Sequence, residues 1–369
     1  MTLVEYRSSS RFINGVMRSG SIGTPRNRMN GFPILCRPAR KAARAVAPPA
    51  ACAIHGGVEM VINLDVTLRD GGYRNNFDFP LDYARHHVRE SVAAGMEWIE
   101  IGYRNGSFKP RPGIGRTGLG ADDYIRALAE VVPPEHLCMI VHPKNITEED
   151  LPRMYEAGAR MVRFCLPSGA PEAGLALLAQ AVDLGFTTTV NITRVSQLDG
   201  RRLAELAAMS GDSGADVVYL ADSNGSMLPR EVSRLVTLVR SVTDAAIGLH
   251  AHNNLGLALA NAIAAVEAGA TWIDSSVLGM GKGPGNLVTE QWLAYLGRRG
   301  RTEGHDLGRI LALAHRMEGE FAEAAPSLPL PDLVLGHFDL SVEERAKLPQ
   351  GRISDAFSAA RELTATGAR

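Results

Sequence analysis

From residue 61 onward the chain alternates short β-branched, apolar runs with longer stretches whose apolar side chains recur every three or four positions. The first pattern suits buried strands, and the second suits helices with one face on a core. The runs predict strands over 61–66, 98–102, 137–141, 161–165, 187–192, 217–221, 247–250 and 272–275. Helices are predicted over 81–94, 121–131, 148–157, 171–184, 201–210, 229–243, 257–268 and 288–298. Gly95, Gly158, Gly185 and Gly269 fall where four of these helices give way to the next strand, a position that favours glycine.

Eight strand–helix units of about 30 residues each match a (β/α)8 barrel of about 250 residues. A doubly wound open sheet shares the local pattern, so the polar residues decide. Arg69 and Asp70 follow the first strand, Glu100 lies on the second and His142 follows the third. Asp222 and Ser223 follow the sixth, His250 and His252 end the seventh, and a glycine-rich stretch follows the eighth. A closed barrel gathers all of these at one mouth, where barrel enzymes keep their chemistry. The expected fold is therefore an α/β chain with a TIM barrel over 59–300. A disordered, Arg-rich leader over 1–58 precedes it, and a helical C-terminal extension and tail over 301–369 follow. That extension shows one good helix over 307–324, then Pro326, Pro329 and Pro331, then a short polar helix or tail.

Composition narrows the class. Of 369 residues, 45% are apolar and 21% charged, as in ordinary globular chains. The net charge of −1 divides unevenly, because residues 1–55 carry eight Arg and one Lys against Glu5 alone. The remainder is thus mildly acidic, which argues against a nucleic-acid surface. No apolar run approaches the roughly 18–20 residues of a membrane span. Cys36, Cys52, Cys138 and Cys165 show no metal or CxxC spacing and read as reduced thiols of a cytoplasmic protein. The leader, rich in Arg and Ser, has the composition of a transit peptide or a dispensable tail, and Met60 is a second plausible start.

His250 and His252 are two residues apart at a strand end, so both side chains share a face and make a natural pair of divalent-metal ligands. Asp70 is the candidate third ligand, although Asp70-Gly71-Gly72 is also a strong turn signal. Two imidazoles and a carboxylate leave positions open for substrate. The stretch 279–286, GMGKGPGN, matches neither a dinucleotide fingerprint nor a phosphate loop, and Asn286 offers a carbonyl oxygen as a weaker fourth ligand. Arg163 ends the fourth strand, where a substrate carboxylate or a salt bridge is equally natural.

Three segments carry a family resemblance: LDVTLRDGGYRNNFDF over 64–79, YLADSNGSMLP over 219–229, and HAHNNLGLALANAIAAVEAGATWIDSSVLGMGKGPGNLVTE over 250–290. They resemble the DRE-TIM metallolyase superfamily, above all its 4-hydroxy-2-oxovalerate aldolase-like branch, which is related to HMG-CoA lyases and isopropylmalate synthases. The resemblance implies a divalent ion (Mn²⁺, Mg²⁺ or Co²⁺) on Asp70, His250 and His252, with Asn286 as a further ligand. It implies that Arg69 stabilises an enolate oxygen and that Glu100 orients the site. Small-molecule 2-oxo acid and aldehyde substrates and a homo-oligomer follow from it too.

Two departures stand out. The aldolases carry a histidine shortly after Arg-Asp-Gly as the base, whereas this chain has Tyr73, which leaves Tyr73 and His142 as alternatives. The C-terminal extension is small and unlike the one that contacts a partner dehydrogenase, so that partner is not expected. The expected activity is metal-dependent aldol cleavage or formation between a pyruvate-like enolate and an aldehyde. A Claisen-type condensation of acetyl-CoA with a 2-oxo acid is the alternative enzyme class, and a non-catalytic metal-binding barrel the alternative outside it. A Schiff base on Lys144 or Lys282 is disfavoured, since neither lysine has a companion that would lower its pKa.

Overall fold

The computed structural model describes residues 60–300, 304–327 and 329–365, so the expected 1–58 leader lies outside the described residues. Eight parallel strands pair in chain order and close: β1 (Ile62–Asp65), β2 (Trp98–Tyr103), β3 (Leu137–Val141), β4 (Met161–Leu166), β5 (Thr187–Ile192), β6 (Val217–Asp222), β7 (Ala246–Ala251) and β8 (Trp272–Ser275). Closure is carried by β8 pairing with β1, from Ile62 opposite Trp272 to Asp65 opposite Ser275. The barrel expectation holds, and the open sheet is excluded.

Side chains alternate along a strand with a period of two, and that period stacks the barrel interior in layers. Leu64, Trp98, Cys138, Met161, Tyr219 and Trp272 make an apolar lower layer. Two residues further along their strands, Glu100, Arg163 and Asp274 make a buried charged layer. Gly248 is the small member of the lower layer, because a Cβ there would lie 2.4 Å from the Tyr219 ring. Arg163 sits over that ring at 4.0 Å, so the glycine makes room for the platform under a buried guanidinium.

Outside the barrel, helices turn one stripe inward. The helix Pro229–Arg240 buries Val232, Leu235, Val236 and Val239, the i, i+3, i+4, i+7 spacing of one face. Each such side chain contributes roughly 1.5–3 kcal/mol on burial. The predicted 307–324 helix is Leu307–Glu320 followed by a separate turn, Ala322–Ala324.

Beyond it the chain is more ordered than its prolines suggested. Helices Leu330–His337 and Ile353–Ala365 flank a turn at Val342–Lys347, and Leu335, Leu340, Leu348, Ala356 and Ala360 form a small core of their own. The final helix shows a weak apolar pattern because its inward positions are two alanines, Ala356 and Ala360. This segment is tied to the barrel mouth through Asp339, whose Oδ1 accepts hydrogen bonds from Ser196 (2.7 Å), Asn224 (2.8 Å) and Ser226.

The opposite, N-terminal end of the barrel is closed by Asn63, which accepts from Trp292 Nε1 at 2.7 Å and donates its backbone N–H to Glu97 at 2.8 Å. Burial raises the Glu97 carboxyl to about 7 despite these bonds from Asn63. A carboxyl raised in the fold contributes stability that is present below its unfolded value near 4.3 and is lost as pH rises through 7. Glu97→Gln should therefore be more stable than the parent at pH 8, by up to about 3–4 kcal/mol, with the difference vanishing towards pH 4.5. Urea unfolding at a series of pH values checks this, and a pH-independent difference would refute it.

Candidate active site

After β1 the chain makes a single helical turn, Thr67–Asp70, too short to leave a periodic signature in sequence. Asp65 anchors it by accepting from the Thr67 backbone N–H at 2.8 Å, while His87 holds the other carboxylate oxygen. The turn points Arg69 and Asp70 into the barrel mouth, both buried. The predicted Asp70-Gly71-Gly72 turn is present as a second short coil, Gly71–Tyr73.

At the mouth, donor atoms of Asp70, His250 and His252 lie within 4.8 Å of one another. Each histidine is fixed through Nδ1, His250 to Asp274 Oδ2 at 2.9 Å and His252 to the Gly285 carbonyl at 3.3 Å. Both Nε2 atoms are thereby left for a ligand, with the Asp274 carboxylate fixing the orientation of the His250 ring. The glycine-rich stretch, which matches no known phosphate or dinucleotide pattern, packs against this cluster. It folds back so that Asn286 N–H meets the Gly279 carbonyl at 2.9 Å and Lys282 N–H meets Asp70 Oδ2 at 3.1 Å.

Among the described residues, Asn286 Oδ1 is buried without a hydrogen-bond partner. A buried orphan oxygen beside two imidazoles and a carboxylate fits a divalent cation, with Asp70, His250 and His252 as the residues that could hold it and Asn286 as a fourth. Burial opposes ionisation of Asp70, but Arg69, His252 and His250 overcome it and hold the carboxyl well below the usual range. Burial pushes His252 down to about 4, so it is neutral at pH 7 and able to ligate.

Arg69 is gripped by Glu100 through Nε and by Asp70 through Nη1, while its Nη2 is buried without a partner among the described residues. Glu100 also faces Arg163 at 3.4 Å, and Arg163 makes a two-pronged bridge to Asp274 at 2.7 and 2.9 Å. Arg163 is therefore a salt-bridge residue, settling the open alternative. Asp274, which no sequence motif marks, closes a chain of charges that starts at Arg69 and holds His250 at its end. Its signal was an acid two residues after Trp272 on an inward-facing strand position.

Tyr73 Oη and Tyr103 Oη are 3.2 Å apart, and the Tyr103 ring stacks on His142 with centroids at 5.4 Å. His142 Nε2 is buried and, among the described residues, unpartnered. Burial, with Lys144, Arg69 and Lys282 adding to it, lowers His142 to about 4, whereas burial raises Tyr73 to about 12. Both line a cavity of about 360 Å³ together with Arg69, Asp70, His250 and His252. The cavity thus gathers Arg69, Asp70, Tyr73, His142, Ser223, His250 and His252, whereas Glu100, Arg163, Asp222 and Asn286 are not part of its lining. Lys144 is exposed and donates to the Phe108 carbonyl at 2.6 Å, and Lys282 pairs with Glu343 at 2.6 Å, so neither is a desolvated amine. Glu343 and Ser341 come from the C-terminal extension, a contribution that sequence left unseen.

Comparison with known proteins agrees with this geometry. Residues 60–317 match the family described as HMGL-like. A 4-hydroxy-2-oxovalerate aldolase of Carboxydothermus hydrogenoformans is 31% identical over 73% of this chain and 79% of its own. One of Geobacillus genomosp. 3 is 33% identical over 68% of this chain and 74% of its own. Among solved structures, the N-terminal domain of a candidate aldolase from Bacteroides vulgatus superposes with a TM-score of 0.69 at 27% identity, covering 78% of this chain and 96% of that one. The HMG-CoA lyase of Brucella melitensis, at 18% identity and a TM-score of 0.60 over 71% of this chain and 99% of its own, shares the fold.

Gly281 gives a direct test of the cation site. A Cβ there would lie 2.4 Å from Asn286 Nδ2 and 2.8 Å from Asp70 Oδ2. Gly281→Ala should weaken Mn²⁺ affinity about 10–100-fold, measured by titration calorimetry, with little change in thermal unfolding of the metal-free protein. Unchanged affinity would show that Asn286 and Asp70 do not share the site.

Proposed function

The chain belongs to the HMGL-like family, and from that premise we propose that it is a divalent-metal-dependent carbon–carbon lyase. In this reading it is an aldolase that cleaves or forms the bond between a pyruvate-like 2-oxo acid enolate and an aldehyde. One observation carries the reading: the donor atoms of Asp70, His250 and His252 converge beside the unpartnered Nη2 of Arg69 at one cavity. The names of the relatives at 31% and 33% identity support it. The mixed imidazole–carboxylate donor set suits Mn²⁺, Mg²⁺ or Co²⁺. We assign catalysis to the 59–300 barrel and cover of its mouth to the 301–369 extension.

A divalent ion bound there supplies Lewis acidity to the oxygens of the 2-oxo acid. Arg69 offers its free Nη2 to the oxygen on which enolate charge develops, a fixed donor that needs no reorientation when the bond breaks. Glu100 and Asp70 keep that donor in place. In cleavage, the C3–C4 bond breaks as the C4 hydroxyl gives up its proton, leaving an aldehyde and the enolate of the 2-oxo acid. His142, neutral at pH 7 with Nε2 unpartnered, is the acceptor we assign to that proton, and Tyr73, bonded to Tyr103, orients the hydroxyl.

Purified protein with Mg²⁺ should exchange the methyl protons of pyruvate for deuterium, followed by NMR, and a chelator should stop the exchange. Absence of metal-dependent exchange would refute the aldolase reading. In cleavage of a 4-hydroxy-2-oxo acid, His142→Asn should lower kcat about 10²–10³-fold and Tyr73→Phe considerably less. The reverse order would make Tyr73 the proton acceptor.

A further inference from the structure

A second cavity of about 350 Å³ adjoins the first and shares Tyr73, Phe108, Lys282 and Glu343 with it. Its wall is basic. Lys109, Arg111, Lys282 and Arg345 line it, and Glu343 is the one acid among its described lining residues. Two of those cations are already neutralised, Lys282 by Glu343 at 2.6 Å and Arg345 by Asp332 at 2.8 Å. The other two are not. Among the described residues Arg111 reaches only the amide oxygen of Asn76, at 3.5 Å, and no carboxylate pairs with Lys109.

This unneutralised charge stands against the wall of the candidate active site. The Arg111 guanidinium lies 5.2 Å from the Tyr73 ring centroid and 5.7 Å from that of Phe77. Stacking on two rings holds it as a preformed cation, so little side-chain freedom would be lost on meeting an anion. Residues beyond the basic leader carry a net negative charge, so two uncompensated cations in one concave annex are not the average of the surface.

We infer that the annex binds an anionic group at the far end of the aldehyde half of the substrate. This rests on the aldolase reading above. The 2-oxo acid end is committed to Asp70, His250, His252 and Arg69, so a chain growing from C4 passes Tyr73 and Phe108 into the annex. There a terminal carboxylate or phosphate meets Lys109 and Arg111. The substrate class is a 4-hydroxy-2-oxo acid carrying a second anion, and the carbonyl product is an aldehyde with an acidic tail. Acetaldehyde would fill the reacting position and leave the annex empty.

The test is condensation with pyruvate in the presence of Mg²⁺, comparing kcat/KM for paired aldehydes on the full chain. Succinic semialdehyde is paired with butanal, and glycolaldehyde phosphate with glycolaldehyde, so that the two arms separate a carboxylate from a phosphate. At least one anionic member should exceed its neutral partner by about tenfold or more, the worth of one charge-assisted hydrogen bond. Lys109→Gln and Arg111→Gln should each erode that ratio. Lys109→Gln carries the result if loss of the Arg111 stacking perturbs folding. Equal kcat/KM within both pairs, or a preference untouched by either substitution, overturns the inference. Pyruvate methyl exchange, run on the same samples, needs no aldehyde. Exchange without an anionic preference overturns the annex alone, whereas no exchange overturns the aldolase reading and the annex with it.

Discussion

Alternating charge runs through the barrel interior from Arg69 to Glu100, Arg163 and Asp274, whose carboxylate holds the His250 ring, and the site depends on it. None of these groups is solvated to any useful degree, and an ion taken from water without a partner costs several kcal/mol. Each charge is tolerable only because it sits between opposite neighbours. Burial alone would raise the Asp274 carboxyl, yet Arg163 and His250 bring it down to about 2. The row therefore behaves as one object. It fixes the Arg69 guanidinium at the cavity and, at its other end, the His250 imidazole of the candidate metal cluster, so two halves of the candidate site share one foundation.

The row needs a floor and a lid. Trp98, Met161, Tyr219 and Trp272 form the floor, and the room for Tyr219 comes from the missing side chain of Gly248. Above, the C-terminal extension reaches over the mouth, tied by Asp339 to the loops after β5 and β6 and by Glu343 to Lys282. Lys282 N–H in turn bonds Asp70, so the lid and the ligand cluster meet at one residue. Water kept away from Arg69 and Asp70 strengthens every electrostatic interaction between them and a bound substrate.

The barrel and much of its chemistry were legible in the chain because strand ends are where a (β/α)8 fold collects polar residues. The pair His250 and His252 could be read from spacing alone, since a period of two places both on one face. Asp70 could be nominated from its place at the end of the first strand, but it and the 279–286 stretch stayed ambiguous, because a turn and a glycine-rich connector look the same in sequence whether or not they line a site. Asp274 and the solution to Arg163 were hidden for a different reason. Their bridge spans 111 residues of sequence and two strands that are not neighbours, and no local pattern encodes it. The final helix was obscured by its small inward residues, and with it the reach of Ser341 and Glu343 into the mouth.

Tyr73 then ceases to be an anomaly. Every loop at the C-terminal end of a closed barrel faces the same cavity, so a proton acceptor need not come from the turn after β1. His142, leaving β3, reaches the cavity wall with Nε2 free, and it is stacked on the ring of Tyr103, which in turn holds the hydroxyl of Tyr73. A tyrosine in the first turn and a histidine in the third loop can together supply an acceptor and a positioning hydroxyl in one mouth. The bulk of Tyr73 adds something an imidazole there would not: its ring lines both cavities and is the surface over which Arg111 and Lys282 lie. The residue that departs from the aldolase pattern is therefore also the one placed to decide what lies beyond the reacting carbon.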